Sequence, residues 1–186
     1  EVSTTNTSNW GLGTNGSNPA LTSLSYGFYQ ASKLTAVPTQ IPSTVTDLSY
    51  TFRSALLFNQ NINSWTTTNV TDMTGLFMTA LDFNQPLNTW NVSSVTSMRF
   101  MFRDARSFDQ SIDAWNVSSV TNMSQMFKSL NGIHAFNQSL NSWDVTSVTD
   151  MNEMFMGNNS FNGNISSWVP SSVQDMESID RKSTRL

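Results

Sequence analysis

The sequence predicts an α/β repeat protein: a right-handed solenoid with a parallel strand ladder, short helices and about 25 residues per coil. Two observations carry that prediction. The first is self-similarity. The block Phe58-Asn59-Gln60-Asn61-Ile62-Asn63-Ser64-Trp65 returns in related form at Phe83, Phe108, Phe136 and Phe161, at spacings of 25, 25, 28 and 25 residues. The second is a change of period inside each unit, from a strand-like half to a helix-like half. A unit this small cannot bury its apolar side alone, so neighbouring units have to stack.

Each element follows in order along the unit. Leu87-x-x-Trp90-x-Val92 recurs as Ile112-x-x-Trp115-x-Val117 and Leu140-x-x-Trp143-x-Val145, with Ile62, Trp65 and Thr67 as a weaker copy. That is the strand spacing of a leucine-rich repeat with Trp in the middle slot, and parallel strands would place coils about 4.8 Å apart. Val120, Met123, Met126 and Phe127 then fall on one face of a short helix. Ser118-Ser119, Ser93-Ser94 and Thr146-Ser147 stand ahead of that pattern as cap residues. The crossover rule for parallel strands makes the winding right-handed. Eleven of the twelve Phe fall into two columns: Phe28, Phe52, Phe77, Phe102, Phe127 and Phe155, and Phe58, Phe83, Phe108, Phe136 and Phe161. The one length irregularity is an insertion of three residues near Asn131-Gly132-Ile133-His134.

Composition excludes several function classes. The 186 residues hold 38% hydrophobic and 12% charged side chains, against about 25% charged in an average domain. The longest apolar run is Leu56-Leu57-Phe58, far short of the roughly 20 residues that span a bilayer. No Cys is present, which removes disulfides, thiolate metal sites and thiol nucleophiles. A net charge of −4 with scattered Lys and Arg offers no basic stripe for nucleic acid.

Residues 1–20 are rich in Ser, Thr, Asn and Gly and read as a polar lead-in or an N-terminal cap, with Trp10 as the docking residue. Residues 21–179 form the repeat array. Both ends read as cut: the chain starts at Glu1, and the Met-x-x-Met/Leu-Phe rule breaks at Asp180, so the array is expected to belong to a longer chain. Residues 180–186 resemble the translation of a sequencing adapter and are set aside as a non-native tail.

The string Phe-Asn-Gln-x-Ile/Leu-x-x-Trp-x-Val-Ser-x-Val-Thr-x-Met-x-x-Met-Phe, over residues 21–179, resembles the repeat of the BspA-like leucine-rich-repeat surface proteins. Leu34-Thr35-Ala36-Val37-Pro38 looks like that family's lead-in. The resemblance implies an extracellular or cell-surface adhesion or interaction protein, with no catalytic residues to carry over. Departures are Asn158, where Ala80 and Ala105 stand in other units, and Val169-Pro170 in the last strand, where Pro cannot donate to a ladder.

The aromatic, amide, sulfur and acidic columns read as structural in preference to site residues. The Trp column (Trp65, Trp90, Trp115, Trp143, Trp168) occupies the middle apolar slot and reads as core rather than a sugar-stacking platform. The Asn-Gln pairs at 59–60, 84–85 and 137–138 read as stacked amide ladders that satisfy turn backbone. The Met residues read as packing. Asp47, Asp72, Asp150 and Asp175 share one position, read as a helix first turn where a carboxylate meets free amides, in preference to a metal site. His134 is the only His and reads as solvated or packed, so no catalytic and no metal-ligating residues are assigned and no cofactor is expected.

The outward strand positions are the ligand-binding candidates: Asn63, Asn88, Asp113 and Asn141 in one column, Thr66, Asn91, Asn116 and Asp144 in the next. Repetition once per coil makes a flat polar array suited to multivalent recognition. The expected function is a non-enzymatic cell-surface or secreted interaction and adhesion module. Its partner would be an extracellular protein or glycan, with no nucleic acid and no direct membrane insertion by this segment. A structural spacer in a larger surface protein is one alternative. An ice- or polysaccharide-binding array is the other, against which stands the single occurrence of Thr66-Thr67-Thr68. N-x-S/T sequons include Asn91 and Asn116, and glycans there would close the face to a partner.

Overall fold

The computed structural model describes residues 21–177 and residue 179. The lead-in at 1–20 with Trp10 and the tail at 180–186 lie outside the described residues. The repeat is realised as a stack of successive coils, one per sequence unit, but the predicted α/β solenoid is not what forms. Among the described residues there is no helix and no sheet. In place of strands there are isolated parallel bridges between neighbouring coils, through Ser23, Asp47, Asp72, Ser97, Asn122, Asp150 and Asp175. With no strand ladder, the leucine-rich-repeat assignment and the crossover argument for a right-handed winding both fall.

The hydrogen bonds give the physical reason. In the half read as helical, alternate amides point along the stack instead of along their own coil. Met123, Gln125, Phe127 and Ser129 donate to the carbonyls of Asp150, Asn152, Met154 and Met156 in the next coil, each at 2.9 Å. The amides between them close tight turns, Met126 to Met123 and Lys128 to Gln125, both 3.2 Å. An α-helix would spend these N–H groups internally and leave adjacent coils joined by side chains alone. The alternation needs left-handed backbone at fixed places. Tyr26, Tyr50, Gly75, Phe100, Gln125 and Glu153, at one repeat position, have φ between 53° and 60°. A second such position holds Gln30, Ser54, Thr79 and Asp104. Left-handed φ is costly for residues with a Cβ, so the coil-to-coil bonds and the core beneath must hold it.

The half read as a strand is also turned. Trp90 donates its amide to Leu87 at 3.1 Å and Val95 to Val92 at 2.9 Å, which shortens the segment below an extended strand. Here coils are tied by fewer backbone contacts, supplemented by side chains. Thr71, Thr96 and Thr121 each donate their amide to the Thr one coil earlier, at 2.8 to 2.9 Å. Ser118 serves as a turn residue with Asn116 instead of a helix cap, at 3.2 Å. Around Pro170 the same turn is looser, with Val173 to Pro170 at 3.4 Å against 2.9 Å for Val120 to Val117.

The core is aromatic. Rings of the first Phe column stack on one another at 5.1 to 5.7 Å between centroids, and those of the second at 5.6 to 6.1 Å. The two columns face each other at 3.9 to 4.1 Å within each coil. The Trp column is core: indole Nε1 of Trp90, Trp115 and Trp143 donates to Ile62, Leu87 and Ile112 carbonyls one coil back, at 3.1, 3.1 and 3.0 Å. That bond lets a polar ring atom be buried without penalty.

Candidate functional site

The eight outward candidates divide by what their oxygens do. Asn63 Oδ1 accepts from the Thr89 amide and hydroxyl at 3.1 and 2.8 Å, and its Nδ2 donates to Asn88 Oδ1 at 3.0 Å. Asp113 takes the Ser142 amide at 2.9 Å and its hydroxyl at 3.0 Å. Asn141 Oδ1 takes the Ser167 amide at 2.9 Å. Asn63, Asp113 and Asn141 are thus clamps onto the following coil, while Asn88 serves as an acceptor for Asn63.

The second column is different. Thr66, Asn91, Asn116 and Asp144 are all exposed, and three of them use a single oxygen to close a turn on their own coil. Asn91 Oδ1 accepts from the Ser93 amide at 3.0 Å. Asn116 Oδ1 takes the Ser118 amide and hydroxyl at 3.2 and 2.7 Å, and Asp144 Oδ1 takes those of Thr146 at 3.0 and 2.6 Å. The Thr146 hydroxyl and amide hold the Asp144 carboxyl below the usual range. These turns fix each side chain's orientation while Nδ2 of Asn91 and Asn116 and Oδ2 of Asp144 remain available to a ligand.

An open cleft of about 620 Å³ lies on this face, between the second and third full coils. Three candidates line it, Asn63, Thr66 and Asn91, together with Asn61, Thr68 and Thr89. The sequence reading missed the last three; the Thr66-Thr67-Thr68 departure from Asn/Asp-Val-Ser/Thr was the signal. Thr67 sits buried where other coils have Val, with its hydroxyl donating to the Asn91 carbonyl at 2.9 Å.

The other polar columns are structural. Asn59 Oδ1 takes the Asn84 amide and Gln85 Nε2, both at 3.0 Å, and Asn84 takes Asp109 and Gln110 in the same way at 3.0 and 2.9 Å. The Asp column has no helix to cap, which corrects the first-turn reading. Instead Asp47, Asp72, Asp150 and Asp175 accept the amide two residues on, at 2.7 to 3.0 Å. The other oxygens of Asp47, Asp150 and Asp175 tie neighbouring coils, as in Asn122 to Asp150 at 3.1 Å. Among the described residues no three His, Asp or Glu converge as a metal site. His134 is 2% exposed, inside the insertion. Phe136 donates its amide to Nδ1 at 3.2 Å, so Nε2 carries the proton and donates to the Phe102 carbonyl at 2.9 Å. Burial pushes its pKa below the ordinary value.

A protein-family model matches the chain over residues 22–135 and again over 128–186, and its description is Mycoplasma protein of unknown function, DUF285. The chain belongs to the DUF285 family. The two matches run through the stacked coils, so DUF285 membership covers the aromatic core, the clamps and the exposed column alike. No curated protein matches the chain. Among the described residues no helix is long and apolar enough to cross a membrane.

Proposed function

We propose that this DUF285 chain is a non-enzymatic, cell-surface or secreted interaction module of the BspA-like surface-repeat kind, binding an extracellular protein or glycan through its exposed polar column. One observation carries the reading. Thr66, Asn91, Asn116 and Asp144 recur once per coil, are exposed, and in the last three a local turn uses one oxygen and leaves the rest of the group free. Regularly spaced, pre-oriented donors and acceptors favour many weak contacts with a repetitive or extended partner, because little side-chain entropy is lost on binding. The cleft beside Thr66 and Asn91 gives the array one concave point.

The test is capture from panels of surface proteins and glycans by the wild-type chain and by Asn91→Lys/Asn116→Lys/Asp144→Lys, after circular dichroism shows that both fold alike. A partner bound by the wild type and lost in the variant is the expected result. Equal capture by both overturns the assignment to this face.

A further inference from the structure

We propose that the corner of the coil formed by Leu56, Leu57, Asp82, Arg106, Leu130 and Ile133 is a dimer interface, on which a second copy of this chain docks with its stack running antiparallel. The corner precedes the polar column in the unit, and the proposal does not depend on that column's role.

Exposure singles out this corner. Outside the first and last described coils, the exposed large hydrophobic side chains among the described residues are Leu56, Leu57, Leu130 and Ile133, at 37, 62, 62 and 56%. All four lie in one stretch of the unit, between the register of Ser54 and that of Phe58. Backbone bonds fix that register. Asp82 donates its amide to Leu56, Ser107 to Leu81 and Ala135 to Arg106, at 3.1, 3.0 and 2.8 Å. Leu56, Leu81 and Arg106 therefore stack in line, and the insertion carrying Leu130 and Ile133 takes the same corner one coil further on. Single exposed apolar residues are ordinary on any surface, but two pairs confined to one corner are not scattered.

The insertion presents its pair on a fixed loop. Leu130 donates its amide to Asp104 Oδ1 at 2.8 Å, Ser129 Oγ donates to the Ile133 carbonyl at 3.2 Å, and Asn159 Nδ2 to the Gly132 carbonyl at 3.3 Å. Buried His134 anchors the end of the loop through Phe102 and Phe136. Gly157 makes room for it, since a Cβ there would lie 2.1 Å from the Ser129 carbonyl oxygen. Apolar burial on docking is then not offset by the cost of ordering the loop.

The charges choose the occupant and its direction. The coil of Leu56 and Leu57 and the coil of Leu130 and Ile133 bracket two others, one carrying exposed Asp82 and the next Arg106. Neither side chain is in an ion pair among the described residues. A two-fold axis crossing the stack between those two coils reverses coil order. It sets Leu56 and Leu57 against the second copy's Leu130 and Ile133, and Asp82 against that copy's Arg106, and each contact is made twice. A parallel copy would also match apolar pair to apolar pair, but it sets Asp82 on Asp82 and Arg106 on Arg106, which like-charge repulsion disfavours. Beside the corner, Arg53 would face Lys128 of the antiparallel copy, and Lys128 is already neutralised by Glu153 at 2.6 Å.

Sedimentation equilibrium of the full chain, from about 1 μM to about 1 mM, tests the proposal. A monomer–dimer equilibrium is expected. Leu57→Ser/Ile133→Ser, at two exposed side chains, should raise the dissociation constant roughly tenfold or more with an unchanged circular dichroism spectrum. Asp82→Arg and Arg106→Asp should each weaken the dimer, and Asp82→Arg/Arg106→Asp should restore it, because the facing pair is then reversed and not removed. The charge series decides the matter alone if the apolar variant does not fold. A chain that stays monomeric at the highest concentration, leaving the corner to a different protein, overturns the proposal. So does a dimer indifferent to Leu57 and Ile133, or a reversed pair that stays as weak as the single changes.

Discussion

Two polar columns sit side by side on one face of the stack, three residues apart in every unit, and they do opposite things. Asn63, Asp113 and Asn141 bind the amide of the coil that follows. Asn91, Asn116 and Asp144 bind the amide two residues further along their own coil. Composition does not separate the columns, since both are Asn with one Asp. What separates them is where the nearest unpaired N–H lies. A carbonyl beside the next coil becomes a clamp, and one beside its own turn becomes a fixed, exposed group. Polar residues in a repeat are thus not interchangeable surface, and function is expected on the column whose oxygens stay at home.

The comparison can be broken most forcefully from beneath. Phe102→Ala removes a ring stacked against Phe77, Phe108 and Phe127 and should cost about 3–5 kcal/mol, measured by chemical denaturation, with loss of both columns together. Asp113→Ala with Asn141→Ala removes two clamps. Each freed amide can reach water, so we expect about 1 kcal/mol per junction and a fall in Tm of a few degrees, with little change in the turns of the other column.

A third prediction uses pH. His134 is neutral and fully bonded in the fold, and burial lowers its pKa, so the unfolded chain takes up a proton first as pH falls. Stability is therefore full above about pH 6.5 and declines below it, through the folded pKa. His134→Gln should flatten that part of a stability–pH profile. The carboxyls of Asp47, Asp144 and Asp175 lie below the usual range and add losses only at more acidic pH. The smallest stability effect belongs to Asn116→Ala, within about 0.5 kcal/mol because the side chain is exposed.

Much of this was legible in the sequence because stacking writes itself as period. The Phe and Trp columns, the Asn-Gln amide ladder and the outward position of both polar columns all follow from residues recurring at one register. Local backbone did not follow. Val120, Met123, Met126 and Phe127 fit a helix face, yet the same inward set is met by turns whose alternate amides reach the next coil. Gly75 was the one visible sign of the left-handed position, because its counterparts Tyr50, Phe100 and Gln125 carry no such preference. The cleft was half visible, in the Thr66-Thr67-Thr68 departure.

The central claim, that one column holds the coils and its neighbour recognises a partner, is tested most directly by measuring thermal unfolding and partner capture on the same two variants. Asp113→Ala/Asn141→Ala should unfold at lower temperature and still capture the partner below its Tm. Asn91→Lys/Asn116→Lys/Asp144→Lys should keep its Tm within a degree or two and lose capture. The reverse pattern, or both effects falling together in either variant, would contradict the division.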